Sequence, residues 1–190
     1  MNERFKFLFK NLVKGVVWLL IIIALYLLFR HYTEDADFEH YLERIYDKPF
    51  WFFLVFGLSE IVFGIIPPEL FMLVSAHAEN LPYYIFTISI LALFSYGAGV
   101  LGFFIGKYFN KTRFYYYLQD KYLEKYVGYL KRFGGFIIIV ASLTPLPFSA
   151  IAMLVGAIGF PTNKYYIYSL FRFLRFIIYS ILIFRTTLLA

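Results

Sequence analysis

Cysteine is absent from the chain, which excludes disulfides and thiolate metal sites and leaves the redox compartment open. Histidine is scarce, and His31, His40 and His77 lack the spacing of metal ligands. No nucleophile stands beside a base, and no glycine-rich loop is built to cradle a phosphate. The chain therefore offers no catalytic residues, no metal and no cofactor site, and it is not expected to be an enzyme. Charge is thin as well, at 16% of residues. The net charge of +6 is low for a nucleic-acid binder, and the basic residues border apolar runs as juxtamembrane anchors do. Nucleic acid is therefore not an expected partner.

Apolar side chains fill the space the charges leave. Hydrophobic residues make up 62% of the chain and aromatics 24%, with a mean hydropathy of +0.71. A soluble domain is nearer half apolar, so an integral, all-α, polytopic membrane protein is expected, with one compact membrane domain. Arg4, Lys6, Lys10 and Lys14 precede the apolar stretch 15–29, in the manner of a secretory signal. No small-x-small cleavage site follows, so the reading is an uncleaved first helix, lengthened by a snorkelling Lys14.

Charge asymmetry sets the topology. The first 14 residues carry four Lys/Arg against one acid, the loop 30–48 carries six acids against three basic residues, and 107–132 carries seven Lys/Arg against two acids. The positive-inside rule then puts the N-terminus and 107–132 in the cytoplasm and 30–48 outside. Two long apolar runs, 49–76 and 83–106, lie between, and if both crossed, 107–132 would land on the wrong side. Pro67 and Pro68 break the first run at its middle. It is therefore read as a re-entrant hairpin over 50–79, followed by a span over 83–106. Pro145 and Pro147 break 133–160 in the same way, ahead of a span over 164–185. Hairpin plus span thus occurs twice from opposite faces, the pattern of an inverted repeat with its site at the midplane. The alternative is a pair of proline-kinked spanning helices. The domain map is then 1–48, an N-terminal helix and an external amphipathic segment, and 49–190, the membrane domain. Within that domain, 110–132 forms a cytoplasmic amphipathic helix whose apolar row is Phe114, Leu118, Tyr122, Tyr126 and Leu130.

Four ionisable residues interrupt the apolar runs: Glu60 and Glu69 in the first hairpin, Arg172 and Arg175 in the last span. At bilayer depth such side chains cost a few kcal/mol at least, and usually face protein or a wet cavity. Glu60 and Glu69 are nine residues apart across the turn, a spacing that allows them to face each other from the two arms. Two carboxylates in low dielectric do not both stay charged cheaply, which makes them candidates for proton coupling. Arg175 lies about 16 Å along the helix from Lys164, too deep to snorkel. A guanidinium there suits a lipid phosphate or a hairpin carboxylate. Gly99, Gly102 and Gly106, with Gly97, form a small-residue face for close helix packing. Gly134 and Gly135 are expected at a turn or close contact of the second hairpin.

The run SEIVFGIIPPE resembles the acidic, proline-broken first hairpin of the DedA/VTT-domain (SNARE-associated) superfamily. GAGVLGFFIG is similar to that family's following helix, and TPLPFSAIAMLVGAIGFPTNKYYIYSLFRFLRF to its second hairpin and last helix, especially in the short YqaA-like branch. Arg172 and Arg175 match that branch's basic pair. Ser142 and Phe148 stand near the places where standard members carry arginines. The resemblance implies lipid translocation in a bacterial inner membrane, with the substrate a polyprenyl phosphate or phospholipid, and often a link to the proton-motive force. The expectation is therefore a flippase or scramblase. Its partners would be membrane lipids, with protons and a homo-oligomer as further candidates. The competing expectation is a non-transporting scaffold or assembly subunit whose charges are fixed ion pairs.

Overall fold

The computed structural model describes residues 48–62, 64, 66–76, 80–109, 124–144 and 146–188, together with Val13, Val17, Leu20, Ile21 and Ala24, which are helical. The rest of the expected N-terminal helix and external segment, residues 110–123, His77 and Pro145 lie outside the described residues. The described chain is all helical: α1 (Pro49–Ile61), α2 (Pro68–Ala76), α3 (Leu81–Phe109), α4 (Glu124–Leu143), α5 (Phe148–Ala157), α6 (Thr162–Ser169) and α7 (Phe171–Leu188). Among the described residues, two stretches are long and apolar enough to cross a membrane: α3, with 29 residues, and Thr162–Thr186, with 25, which runs through α6 and α7.

The two helix breaks have local causes. At the end of α1 the chain turns through Gly64, whose φ of 66° is left-handed and suits a residue without Cβ. Gly64 N–H reaches back to the Ser59 carbonyl at 2.7 Å, and the Ser59 hydroxyl accepts the Ile66 N–H at 2.8 Å. Pro68 then opens α2 at the first helical position, where its missing N–H costs nothing. At the second break Thr144 turns both its N–H and its hydroxyl onto the Val140 carbonyl. Pro147 then caps α5 in an extended conformation. Each break thus places a proline immediately before a new helix.

Two apolar clusters hold the bundle. Phe52 and Phe56 of α1, Phe71 and Met72 of α2, Ile88 and Leu91 of α3, and Phe176 and Ile183 of α7 form one. Phe103 of α3, Ile138 and Ala141 of α4, Phe148, Ala152 and Val155 of α5, and Tyr165 of α6 form the other. The first half of α3 therefore serves α1–α2 and its second half serves α5, so a single long helix sets both broken helices side by side.

Three local expectations are modified. The boundary expected at 132/133 is crossed by α4 as one continuous helix, so Gly134 and Gly135 form no turn. Their lack of a side chain instead admits the rings of Phe160 and Tyr168, which stand 3.0 and 2.6 Å from where a Cβ would sit. The last span is interrupted at Leu170 by i→i+3 bonds, Leu170 N–H to Ile167 and Phe173 N–H to Leu170, just before the arginines. Gly97 meets nothing within 4 Å and lies off the glycine face.

Candidate functional site

The four interrupting charges meet where the breaks converge. Arg172 and Arg175 sit one turn apart near the start of α7, Glu60 at the end of α1, and Glu69 in the first turn of α2. All four are between 1% and 3% exposed. Arg172 Nη2 donates to Glu60 Oε2 at 2.6 Å, and Arg175 Nη2 donates to Glu69 Oε1. Each glutamate is thus matched to its own guanidinium, and the quartet carries two formal charges of each sign. Matching is what burial demands, because a lone charge at this depth would carry its desolvation penalty unopposed.

Each arginine is fixed by more than its carboxylate. Arg172 Nε donates to the Ser95 hydroxyl of α3, and its guanidinium lies over the Phe148 ring at 4.5 Å. Arg175 Nη1 donates to the Thr144 carbonyl at 2.8 Å, and the Tyr179 ring lies 5.3 Å from its guanidinium. Arg175 thereby joins the two breaks, taking Glu69 beyond the first and Thr144 at the second. Ser149, in the first turn of α5, adds a further tie by donating to the Glu60 carbonyl.

A cavity of about 130 Å³ opens at this junction, lined by the four charged side chains with Gly64, Pro67, Pro68, Leu146, Pro147 and Phe148. The bonding around it is incomplete. Glu60 Oε1, Glu69 Oε2, Arg172 Nη1 and Arg175 Nε are sealed from solvent without a hydrogen-bond partner, as is the Tyr165 hydroxyl. Tyr165 is wholly buried, with its ring stacked on Phe103 at 4.2 Å.

Of the residues marked in the sequence, Glu60, Glu69, Arg172, Arg175, Pro67, Pro68 and Pro147 come together here. Gly99, Gly102 and Gly106 lie along the neighbouring α3–α5 interface, where a Cβ would meet Phe148, Ser149 and Met153 respectively. Ser95, Thr144, Ser149, Tyr165 and Tyr179 carry no mark in the sequence. Small hydroxyls and tyrosines are common in apolar helices, and these acquire a role only through their tertiary neighbours. Phe148 was legible only as a departure from an arginine position; in the fold it is the ring beneath Arg172.

Fold and site define an all-helical protein with membrane-length helices and a buried, charge-balanced cluster at two helix breaks. The chain is 30% identical over 129 residues to the uncharacterized protein MJ0201 of Methanocaldococcus jannaschii, a match spanning 68% of this chain and 79% of that protein. It belongs to the same family as that archaeal protein. No family model matches the chain, and no solved structure matches it.

Proposed function

We propose that the chain is a multi-pass transporter of the cytoplasmic (inner) membrane, a flippase or scramblase that moves a phosphate-bearing lipid, such as a polyprenyl phosphate or a phospholipid, between leaflets. The observation that carries the reading is the buried Glu60–Arg172 and Glu69–Arg175 cluster at a cavity between two proline-broken helices. Charged groups at such a depth are costly, and typically mark a substrate or proton path. A membrane setting is supported by surface character: less than half of each long apolar window is buried within the protein, 44% and 39%. Leu93, Leu101, Ile105, Ile177 and Ile181 are all more than half exposed, a pattern a water-soluble surface seldom carries.

In this reading α1–α2 and α4–α5 are re-entrant hairpins followed by α3 and by α6–α7, an inverted repeat with its site at the midplane. The likeness to the DedA/VTT superfamily belongs to the same proposal, as does a cytoplasmic N-terminus. Arg172 and Arg175 attract the phosphate, while Glu60 and Glu69 hold the arginines until a proton releases them. Cysteines placed at Lys48 and Tyr83 are then expected to label from outside, and one at Lys121 only from the cytoplasm. Labelling of Lys48 and Tyr83 from opposite faces would remove both the hairpin and the repeat.

The direct test is lipid movement in proteoliposomes. The rate is expected to exceed that of empty vesicles for phosphate-bearing lipids and, where a proton couples or gates transport, to change with pH. Glu60→Gln should flatten that pH response, and Arg172→Ala should slow anionic lipids more than zwitterionic ones. Lipid exchange no faster than in empty vesicles, across several phospholipids and a polyprenyl phosphate, would sink the transporter. It would leave the second reading, a scaffold with fixed ion pairs, which the complete sealing of all four charges favours.

A further inference from the structure

A single shift in register relates α2–α3 to α5–α7. It carries Met72–Ala76 (MLVSA) onto Met153–Ala157 (MLVGA), Tyr84 onto Tyr165, Gly99 onto Ser180 and Phe103 onto Phe184. The contacts obey the same shift. Tyr84 of α3 stacks on Phe184 of α7 at 5.0 Å, and Tyr165 of α6 stacks on Phe103 of α3 at 4.2 Å. The Tyr84 hydroxyl donates to the Ser180 carbonyl at 3.0 Å. The Tyr165 hydroxyl lies 3.1 Å from where a Cβ on Gly99 would sit. The two long apolar stretches therefore cross twice, near opposite ends, through equivalent residues.

Equivalent residues are held differently at the two crossings. The Tyr84 hydroxyl has its hydrogen bond, whereas the Tyr165 hydroxyl is buried without one, and an unmet buried hydroxyl is costly. Tyr84 rides on α3, which runs unbroken for 29 residues. Tyr165 rides on α6, a helix of 8 residues. Gly159, with a φ of 76° and open space around it, sets α6 off on one side, and the i→i+3 bonds at Leu170 do so on the other. We propose that α6 is a gate of the transport path, hinged at Gly159 and Leu170 and latched by Tyr165 on Phe103, while the Tyr84–Ser180 crossing is a fixed fastener. This inference rests on the transporter reading of the molecule. The remaining contacts of α6 are of a kind that can part: the Tyr168 ring against Gly135, and Lys107 Nζ donating to the Thr162 hydroxyl at 3.0 Å in an exposed place. Asn163 and Lys164 are exposed, which sets the start of α6 at the water boundary. Movement of α6 reaches the charge cluster by two routes. A Cβ on Gly99 would overlap the Phe148 ring as well as crowd Tyr165, so both rings share one notch in α3, and Phe148 underlies Arg172. Arg172 itself lies in the first turn of α7, just past the Leu170 hinge.

The chain has no cysteine, so a single introduced thiol reports on its own surroundings. Ser169→Cys and Ile88→Cys stand at equivalent places, one turn beyond Tyr165 and Tyr84, and both positions are buried. With the full chain in a neutral detergent, a water-soluble maleimide is expected to label Ser169→Cys about tenfold faster than Ile88→Cys, the worth of one hydrogen bond between the two crossings. Tyr165→Phe keeps the stack and removes the unmet hydroxyl. It should melt no lower than the wild type, yet slow both the labelling of Ser169→Cys and lipid movement. Tyr84→Phe should lower the melting temperature and leave the Ser169→Cys rate unchanged. If Ile88→Cys does not fold, the effect of Tyr165→Phe on Ser169→Cys decides alone. Equal labelling at the two positions, or faster labelling at Ile88→Cys, with lipid movement intact, would overturn the gate and leave the transporter standing. So would a Tyr165→Phe protein that labels and moves lipid at the wild-type rate. Absence of lipid movement, whatever the labelling, would remove the transporter reading and the gate with it.

Discussion

Arg175→Ala is expected to cost about 3–5 kcal/mol of stability and most of the folded yield, because it strands Glu69 as a buried charge with no cation. Glu69 is 1% exposed, and Arg175 also holds the Thr144 carbonyl, so the substitution unties the two breaks from each other as well. Glu69→Gln should also cost stability, since it strands the buried Arg175 guanidinium without a counter-charge, although the amide oxygen can still accept one of its hydrogen bonds. Replacing both partners by methionine separates structure from function. Swapping a buried pair for apolar side chains is often neutral or stabilising by about 1–4 kcal/mol, so the double variant should regain the melting temperature that Arg175→Ala loses. If the pair is also the substrate site, that refolded variant will not move lipid. A double variant that folds and transports at the wild-type rate would show the pair to be a structural fastener. If Arg175→Ala melts with the wild type, the pair does not hold the breaks together.

The sequence exposed these four residues for the reason that makes them matter. In a chain so apolar, an ionisable side chain in the middle of a hydrophobic run has few physical justifications, and opposite charges in distant runs invite pairing. Pro67, Pro68 and Pro147 were equally legible, because proline constrains its own neighbourhood wherever the fold puts it. Partner choice was not legible. That Glu60 meets Arg172 and Glu69 meets Arg175 depends on how α1–α2 docks against α7, which no local pattern encodes. The same holds for the supporting bonds. Ser95 reads as an ordinary serine until α3 brings it to Arg172, and Thr144 takes part through its backbone carbonyl, which every residue possesses. Gly134-Gly135 left a turn and a close contact both open, and the fold uses the close contact. A glycine pair commonly marks a turn, but here the missing side chains serve the aromatic rings of Phe160 and Tyr168, and α4 runs straight through. The break at Leu170 has neither proline nor glycine to announce it.

Gly106→Ala and Gly156→Ala are expected to be the most damaging glycine-to-alanine changes among the described residues. A Cβ at Gly106 would overlap the Met153 carbonyl, and one at Gly156 would overlap the Phe103 carbonyl, so α3 and α5 touch backbone to backbone. A backbone carbonyl cannot swing aside as a side chain does; the helices must part. Overpacking of this kind costs about 1–3 kcal/mol, against the roughly 0.5–1 kcal/mol that alanine gains over glycine within a helix. Gly97→Ala supplies the control. Its Cβ meets nothing within 4 Å, so the helical gain should appear alone as a small rise in melting temperature. The effect should also reach the site, because the start of α5 carries Phe148, which underlies Arg172, and Ser149, which holds the Glu60 carbonyl. Gly102, where a Cβ would lie 2.8 Å from the Ser149 carbonyl oxygen, is the glycine nearest that tie. Its alanine variant should therefore slow lipid movement more than its loss of stability explains. Combining Gly106→Ala with Gly156→Ala should cost less than the sum of the two, since the first methyl already separates the interface that the second would strain. Additive losses would mean that the two glycines report on separate contacts, and a Gly106→Ala protein that melts with the wild type would mean that α3 and α5 are not packed this closely.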